Sequence, residues 1–307
     1  MNICILYAGV EDREQIWPDK RSLPLQRVAG SNVLGHVLNQ IWDAKPEQVI
    51  VVVERDEEAI AAWFEEQIPH IHAKVIAALP GSKPLHALAL CRDYCDKEPM
   101  LVALGSHITE ADYKHLDRFD ADATHFVRPR QEDIWAGVSY FRRGTDCFSA
   151  LDEAQMAGNL DFAGFLEYLQ LGDLYVEKQP ARMCLETRTA EDLLFTNARL
   201  LGLGYGTADA IERSYMEDFT LLPPVFLHES AVIENAVIGP YVNVEAGAII
   251  RDSVVRNSLI GRESAVTEVV LDGSIIGANA QVKASGQSLF VEDNAEIGAN
   301  ALPAADF

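Results

Sequence analysis

The stretch Val232–Ile250, VIENAVIGPYVNVEAGAII, places an aliphatic residue every six positions, at Val232, Ile238, Val244 and Ile250. The series extends back to Phe226 and forward through Val255 and Ile260 at five, Val266 at six, Leu271 and Ile276 at five, and Val282 at six. Four positions after each lies a small or aliphatic residue, among them Ser230, Ala236, Val242, Ala248, Val254 and Leu259. Gly239, Gly261 and Gly277 follow directly on an aliphatic residue, where a tight corner needs backbone freedom. Neither the 3.6-residue period of a helix nor the alternation of a strand fits this spacing. A coil of three short parallel strands, about eighteen residues per turn, does. Residues 225–307 are therefore expected to form a left-handed parallel β-helix of hexapeptide repeats. The pattern breaks between Asn279 and Asn294 and resumes at Val291 and Ile297, and the tail from Ala301 is expected to cap the coil or fray. Such a coil is a rigid, self-stacking platform for whatever precedes it.

A chain of 307 residues is long enough for two domains, each with its own core. Forty-seven acidic against twenty-five basic residues give a net charge of −22. That field repels phosphate backbones, so nucleic acid is not expected as a partner. Any nucleotide site must gather positive charge locally against this trend. No run reaches the ~18 apolar residues of a membrane span, so no membrane partner is expected. The opening MNICILYAG lacks the basic flank and cleavage site of a signal peptide and reads as a buried strand, which predicts a cytoplasmic protein. The five cysteines, Cys4, Cys91, Cys95, Cys147 and Cys184, are odd in number and scattered, as reduced thiols would be.

Residues 1–204 alternate apolar runs with amphipathic ones. Strands are predicted at Ile3–Ala8, Gln48–Val53, Lys74–Leu79 and Met100–Leu104, and helices at Asn32–Ala44, Glu57–Gln67, Leu85–Tyr94 and Glu191–Leu203. This βαβ rhythm with nearly continuous apolar strands predicts an α/β fold with a parallel sheet covered on both faces. Ligands of such folds sit at the carboxyl ends of the strands, here the loops after Ala8, Leu79 and Leu104. Residues 205–224 read as a linker with an amphipathic helix, and Pro223-Pro224 marks the start of the coil.

Ile5-Leu6-Tyr7-Ala8-Gly9-Val10-Glu11-Asp12-Arg13, then Pro18 to Leu25 (PDKRSLPL), resembles the signature of the sugar-1-phosphate nucleotidyltransferases, L-A-A-G-x-G-T-R followed by P-K-x-L-L-P-V. The likeness continues at Gly158-Asn159-Leu160-Asp161, at Glu186-Thr187-Arg188-Thr189-Ala190-Glu191-Asp192-Leu193, and at Asn197. The glucose-1-phosphate thymidylyltransferase-like branch is nearest in outline, and members often carry a C-terminal hexapeptide coil. The resemblance implies a Rossmann-like nucleotidyltransferase domain that joins a nucleoside triphosphate to a sugar 1-phosphate, releasing pyrophosphate. It assigns the nucleotide to Ala8, Gly9, Arg13 and Lys20, with Arg13 and Lys20 as the catalytic cations. It assigns the sugar phosphate to Arg128 and Asn159, and a divalent ion, Mg²⁺, to Glu186.

Several residues depart from that pattern. Glu11 and Asp12 replace a glycine and a threonine in a loop that should cradle phosphates, where carboxylates repel the ligand. Gly105-Ser106-His107 stands where the family has the Gly-Asp that holds Mg²⁺, and a serine hydroxyl is a weak ligand for a hard cation. Arg128 replaces a lysine, Asn159 a glutamate, and Pro84 displaces a glycine of the base-reading segment Leu79–Leu88. Two readings follow: an active nucleotidyltransferase, or a catalytically impaired paralogue that binds nucleotide or sugar phosphate and regulates or scaffolds a partner. The coil is expected, by analogy, to drive homo-oligomerisation. Acyl transfer, another use of such coils, is set lower because His228 is the sole histidine from 225 onward. His70-Ile71-His72 reads as a surface strand end.

Overall fold

The computed structural model describes residues 1–7, 21–95, 99–158, 162–171, 174–207 and 219–284. Its first domain is built on strands β1 (Asn2–Leu6), β2 (Arg27–Val28), β3 (Ser31–Asn32), β4 (Gln48–Val53), β5 (His72–Ala77), β6 (Met100–Leu104), β7 (His107–Glu110), β8 (Ala123–Arg128), β9 (Gln131–Phe141), β10 (Val176–Pro180) and β11 (Met183–Glu186). Helices α1 (Val33–Ile41), α2 (Glu57–Gln67), α3 (Pro84–Ala89), α4 (Arg92–Cys95), α5 (Gly144–Met156), α6 (Phe162–Leu171) and α7 (Ala190–Gly202) surround them.

Successive side chains of a strand point to opposite faces. Ile3, Ile5, Val49 and Val51 enter one core, with α1, α2 and α7. Cys4, Leu6, Ile50 and Val52 enter the other, with α3, α5 and α6. That double burial explains the continuous apolar runs. The seven strands lie in the order β10-β8-β9-β6-β1-β4-β5. The sheet is mixed rather than fully parallel, because β9 runs antiparallel to both β6 and β8. A separate ribbon pairs β7 with β11 and sets Glu186 opposite His107. The predicted helix Leu85–Tyr94 is two shorter pieces, with Pro84 at the first position of α3, where its missing N–H costs nothing.

Twelve short strands between Thr220 and Lys283 stack into three parallel four-stranded sheets, an arrangement that fits a left-handed β-helix. Leu221 pairs with Ile238, Ile238 with Val255, and Val255 with Leu271, so a turn takes 17 or 16 residues instead of eighteen. The inward series is Leu227, Ile233, Ile238, Val244, Ile250, Val255, Ile260 and Val266. Phe226 and Val232 fall one residue out of this frame; Val232 is exposed while Ile233 is buried. The first rung, Thr220–Leu221, precedes Pro223-Pro224, and a strand at Gln281–Lys283 continues the coil past Asn279. Gly261 is required by close approach: a Cβ there would sit 2.7 Å from the backbone of Ile276 and Gly277 on the next turn.

One face of the coil is covered by the first domain. The β2–β3 hairpin turns at Ala29 and Gly30, both with positive φ, and inserts between α7 and the coil. The Asn197 side chain accepts from Ala29 N–H at 2.9 Å and donates to the Tyr241 carbonyl at 3.0 Å. Asn243 Oδ1 accepts from Gly30 N–H at 2.8 Å. Phe226, Leu259 and Ile275 project from the coil into the first domain's core. Buried Glu245 takes Arg21 at 3.4 Å and lies 3.8 Å from Arg27.

Candidate functional site

The predicted nucleotide residues Ala8, Gly9, Arg13 and Lys20, with Glu11 and Asp12, lie outside the described residues, as does Asn159. The approaches to that loop are described on both sides. Tyr7, the residue after β1, donates its N–H to Val52, and Ser22 N–H is held by the Asp56 carboxylate at 2.7 Å.

At the carboxyl edge of the sheet, β6 ends at Leu104 and Gly105 N–H bonds back to Leu6 at 2.8 Å. A Cβ on Gly105 would lie 2.4 Å from the Tyr7 ring, so an aromatic packs directly under this turn. The resemblance places a small alanine at that position, and sequence reasoning attached no meaning to the exchange. Ser106 is fully buried, and its hydroxyl is 3.0 Å from His107 Nδ1. Its carbonyl accepts both the N–H and the hydroxyl of Thr187. The His107 ring lies against Gly137, whose positive φ and missing Cβ make room for it. Burial pushes His107 down to about 4, so it is neutral at neutral pH.

Arg128 ends β8, Glu186 ends β11, and the structure brings them together in an ion pair through Nη2 and Oε1. Each side chain keeps about a third of its surface, 31% and 29%, so the pair sits at the mouth of the site. Burial alone pushes the Glu186 carboxyl up. The hydrogen bond from Arg128, with the charges of Arg128 and Arg188, outweighs it and holds the carboxyl below its usual range. Arg128 Nε–H is buried and has no acceptor among the described residues. The capping box of Thr189 and Asp192 starts α7, and Thr196 donates to the Glu186 carbonyl, so the end of β11 is fixed on the helix.

Two predicted residues, Arg128 and Glu186, therefore meet, in a pairing not foreseen for either. The donors expected for Mg²⁺ do not suit that ion. Ser106 is neutral and bonded to His107, and Glu186, the one carboxylate there, already holds a guanidinium through Oε1, whose positive charge opposes a divalent cation. Among the described residues no three His, Cys, Asp or Glu side chains form a metal-binding group. On the neighbouring loop after β5, Glu54 accepts from Gly81 N–H at 3.1 Å, and Leu79 is 81% exposed. Cys4, Cys91, Cys95 and Cys147 are free thiols buried in one core, consistent with the sequence reading of unpaired cysteines. Among the described residues no helix is long and apolar enough to cross a membrane.

No known family profile matches the chain, and no curated protein does. Among solved structures, the chain is similar to a protein from Bacillus anthracis provisionally assigned as a glucose-1-phosphate thymidylyltransferase, crystallised in complex with a sucrose. The match has a TM-score of 0.54 at 15% identity and covers 65% of this chain and 95% of the other. At that identity the likeness establishes the fold. The α/β domain of this chain thus has the nucleotidyltransferase fold, and it is followed by a parallel β-helix.

Proposed function

We propose that the chain is a catalytically impaired relative of the sugar-1-phosphate nucleotidyltransferases that binds a sugar phosphate or nucleotide as a regulatory or scaffold subunit. The observation that carries this reading is Ser106: buried, neutral and bonded to His107 where nucleotidyl transfer needs a metal-bound carboxylate. In-line displacement at an α-phosphorus draws its electrostatic stabilisation from such a cation, and without one the fold keeps a binding cleft but loses its means of turnover. Arg13, Lys20, Asn159 and Arg128 remain the proposed nucleotide and sugar contacts. We also propose a homo-oligomer through the coil, whose outer valine row Val237, Val254 and Val270 lies in register along one sheet, with Val254 and Val270 exposed.

Isothermal titration with the common nucleoside triphosphates and a panel of sugar 1-phosphates tests the reading. Saturable binding of at least one ligand is expected. The absence of heat with every one would remove it.

A further inference from the structure

Resting on the reading above, we propose that this chain binds a phosphomonoester without any divalent cation, Arg128 making the anion contact and Glu186 holding that guanidinium in place instead of holding metal. The two roles of Glu186 oppose each other. A guanidinium hydrogen-bonded to one carboxylate oxygen sets a positive charge beside any cation on the other, and the structure shows the guanidinium in place. Ser106 offers no replacement ligand, since its hydroxyl is buried and committed to His107. His107, directly opposite Glu186 on the ribbon, turns its Nδ1 to the Ser106 hydroxyl.

The pair also has the form of an anion contact. A guanidinium carries five N–H donors in a fixed fork that suits phosphate oxygens. Glu186 engages Nη2, and Nε–H has no acceptor among the described residues. Arg188, exposed two residues beyond Glu186, adds a second positive charge. In a chain of net charge −22 this is the local gathering of cations that a phosphate needs. Glu186 thus becomes a positioning residue: it orders the arginine before the ligand arrives, at the cost of part of its charge.

The test is titration of glucose 1-phosphate, with inorganic phosphate as the minimal anion, in buffer containing either EDTA or millimolar Mg²⁺. Dissociation constants within twofold of each other in the two buffers are expected for glucose 1-phosphate. Arg128→Ala should weaken binding at least tenfold in both buffers, and Arg128→Lys should not restore it. Glu186→Gln, checked for folding by its melting temperature, should weaken binding severalfold and equally with and without Mg²⁺. Affinity that appears only with Mg²⁺, or a Glu186→Gln effect confined to the Mg²⁺ buffer, would overturn metal-free binding while leaving the binding role intact. Binding of neither probe in either buffer would overturn this proposal; nucleoside triphosphates that still bound would show that the broader reading survives it.

Discussion

Asn197→Ala should destabilise the whole molecule, because one buried amide joins three parts of it. Its Oδ1 satisfies the Ala29 N–H in the β2–β3 turn and its Nδ2 satisfies the Tyr241 carbonyl on the coil, and the residue is fully buried. Alanine leaves the buried Ala29 N–H and the partly buried Tyr241 carbonyl without partners, at up to about 1–3 kcal/mol each. The expected loss is roughly 2–5 kcal/mol, a large share of the 5–15 kcal/mol typical of a folded domain. In a chain of this size that corresponds to a melting temperature lowered by about 3–8 °C. Asn197→Asp keeps the acceptor for Ala29 but sets a carboxylate oxygen against the Tyr241 carbonyl, so it should cost at least as much. Asn243→Ala removes one bond only, since its Nδ2 has no partner among the described residues, and should cost roughly 1–3 kcal/mol. Urea unfolding followed by circular dichroism and by fluorescence makes the comparison. All four tryptophans, Trp17, Trp42, Trp63 and Trp135, lie in the first domain, so fluorescence reports that domain and circular dichroism reports both. Coincident transitions in the wild type and an early transition in Asn197→Ala are expected. A variant within 0.5 kcal/mol of wild type, a threshold near the usual scatter of about 0.5 kcal/mol for surface substitutions, would refute the account of the junction.

Acid should weaken the fold. Burial pushes His107 and His125 each down to about 4, against roughly 6.5 in an unfolded chain. Between those values the unfolded chain binds more protons, so stability is full above about pH 6.5 and falls as pH drops towards 4, by roughly 3 kcal/mol per histidine. Melting temperatures at pH 5 and 7.5 check this, and His125→Gln should flatten the dependence. Val254→Lys combined with Val270→Lys should shift the protein to monomer in size-exclusion chromatography with light scattering; a wild-type monomer at micromolar concentration would remove the oligomer. Ser106→Asp restores the carboxylate that the resemblance expects and should raise any metal-dependent turnover; an unchanged rate would count against placing Ser106 at the metal position.

Legibility in the sequence followed how each element earns its burial. Strands β4 and β6 and helix α2 match their predicted bounds because continuous apolar runs and a clean amphipathic stretch admit one reading. Strands β7 to β11 were not read at all. β9 contains Gly137 and several polar residues, and its pairing with β8 shifts register near Val127, so neither alternation nor a continuous run survives. The coil's existence was plain, but its frame at the start was not. Val225-Phe226-Leu227 and Val232-Ile233 offer adjacent apolar residues, and spacing alone cannot say which faces inward. The packing decides: Phe226 is used against Gly30 at the domain junction, not in the coil's core. At the site, Ser106, Arg128 and Glu186 were each located by resemblance. Their partnerships were not, because Arg128 and Glu186 are 58 residues apart in sequence and meet only once β10 pairs with β8 and β11 with β7. The Tyr7 ring under Gly105 is legible once an aromatic is seen where a phosphate loop departs from its strand.

Pyrophosphate release by the wild-type protein tests the central claim most directly, with Mg²⁺ and with Mn²⁺, across the common nucleoside triphosphates and a panel of sugar 1-phosphates. The account predicts no release above background with any pair, while at least one of the same ligands binds. Steady multiple-turnover release with one pair would contradict it, and would mean that Ser106 and the Arg128–Glu186 pair do not disable the chemistry of this fold.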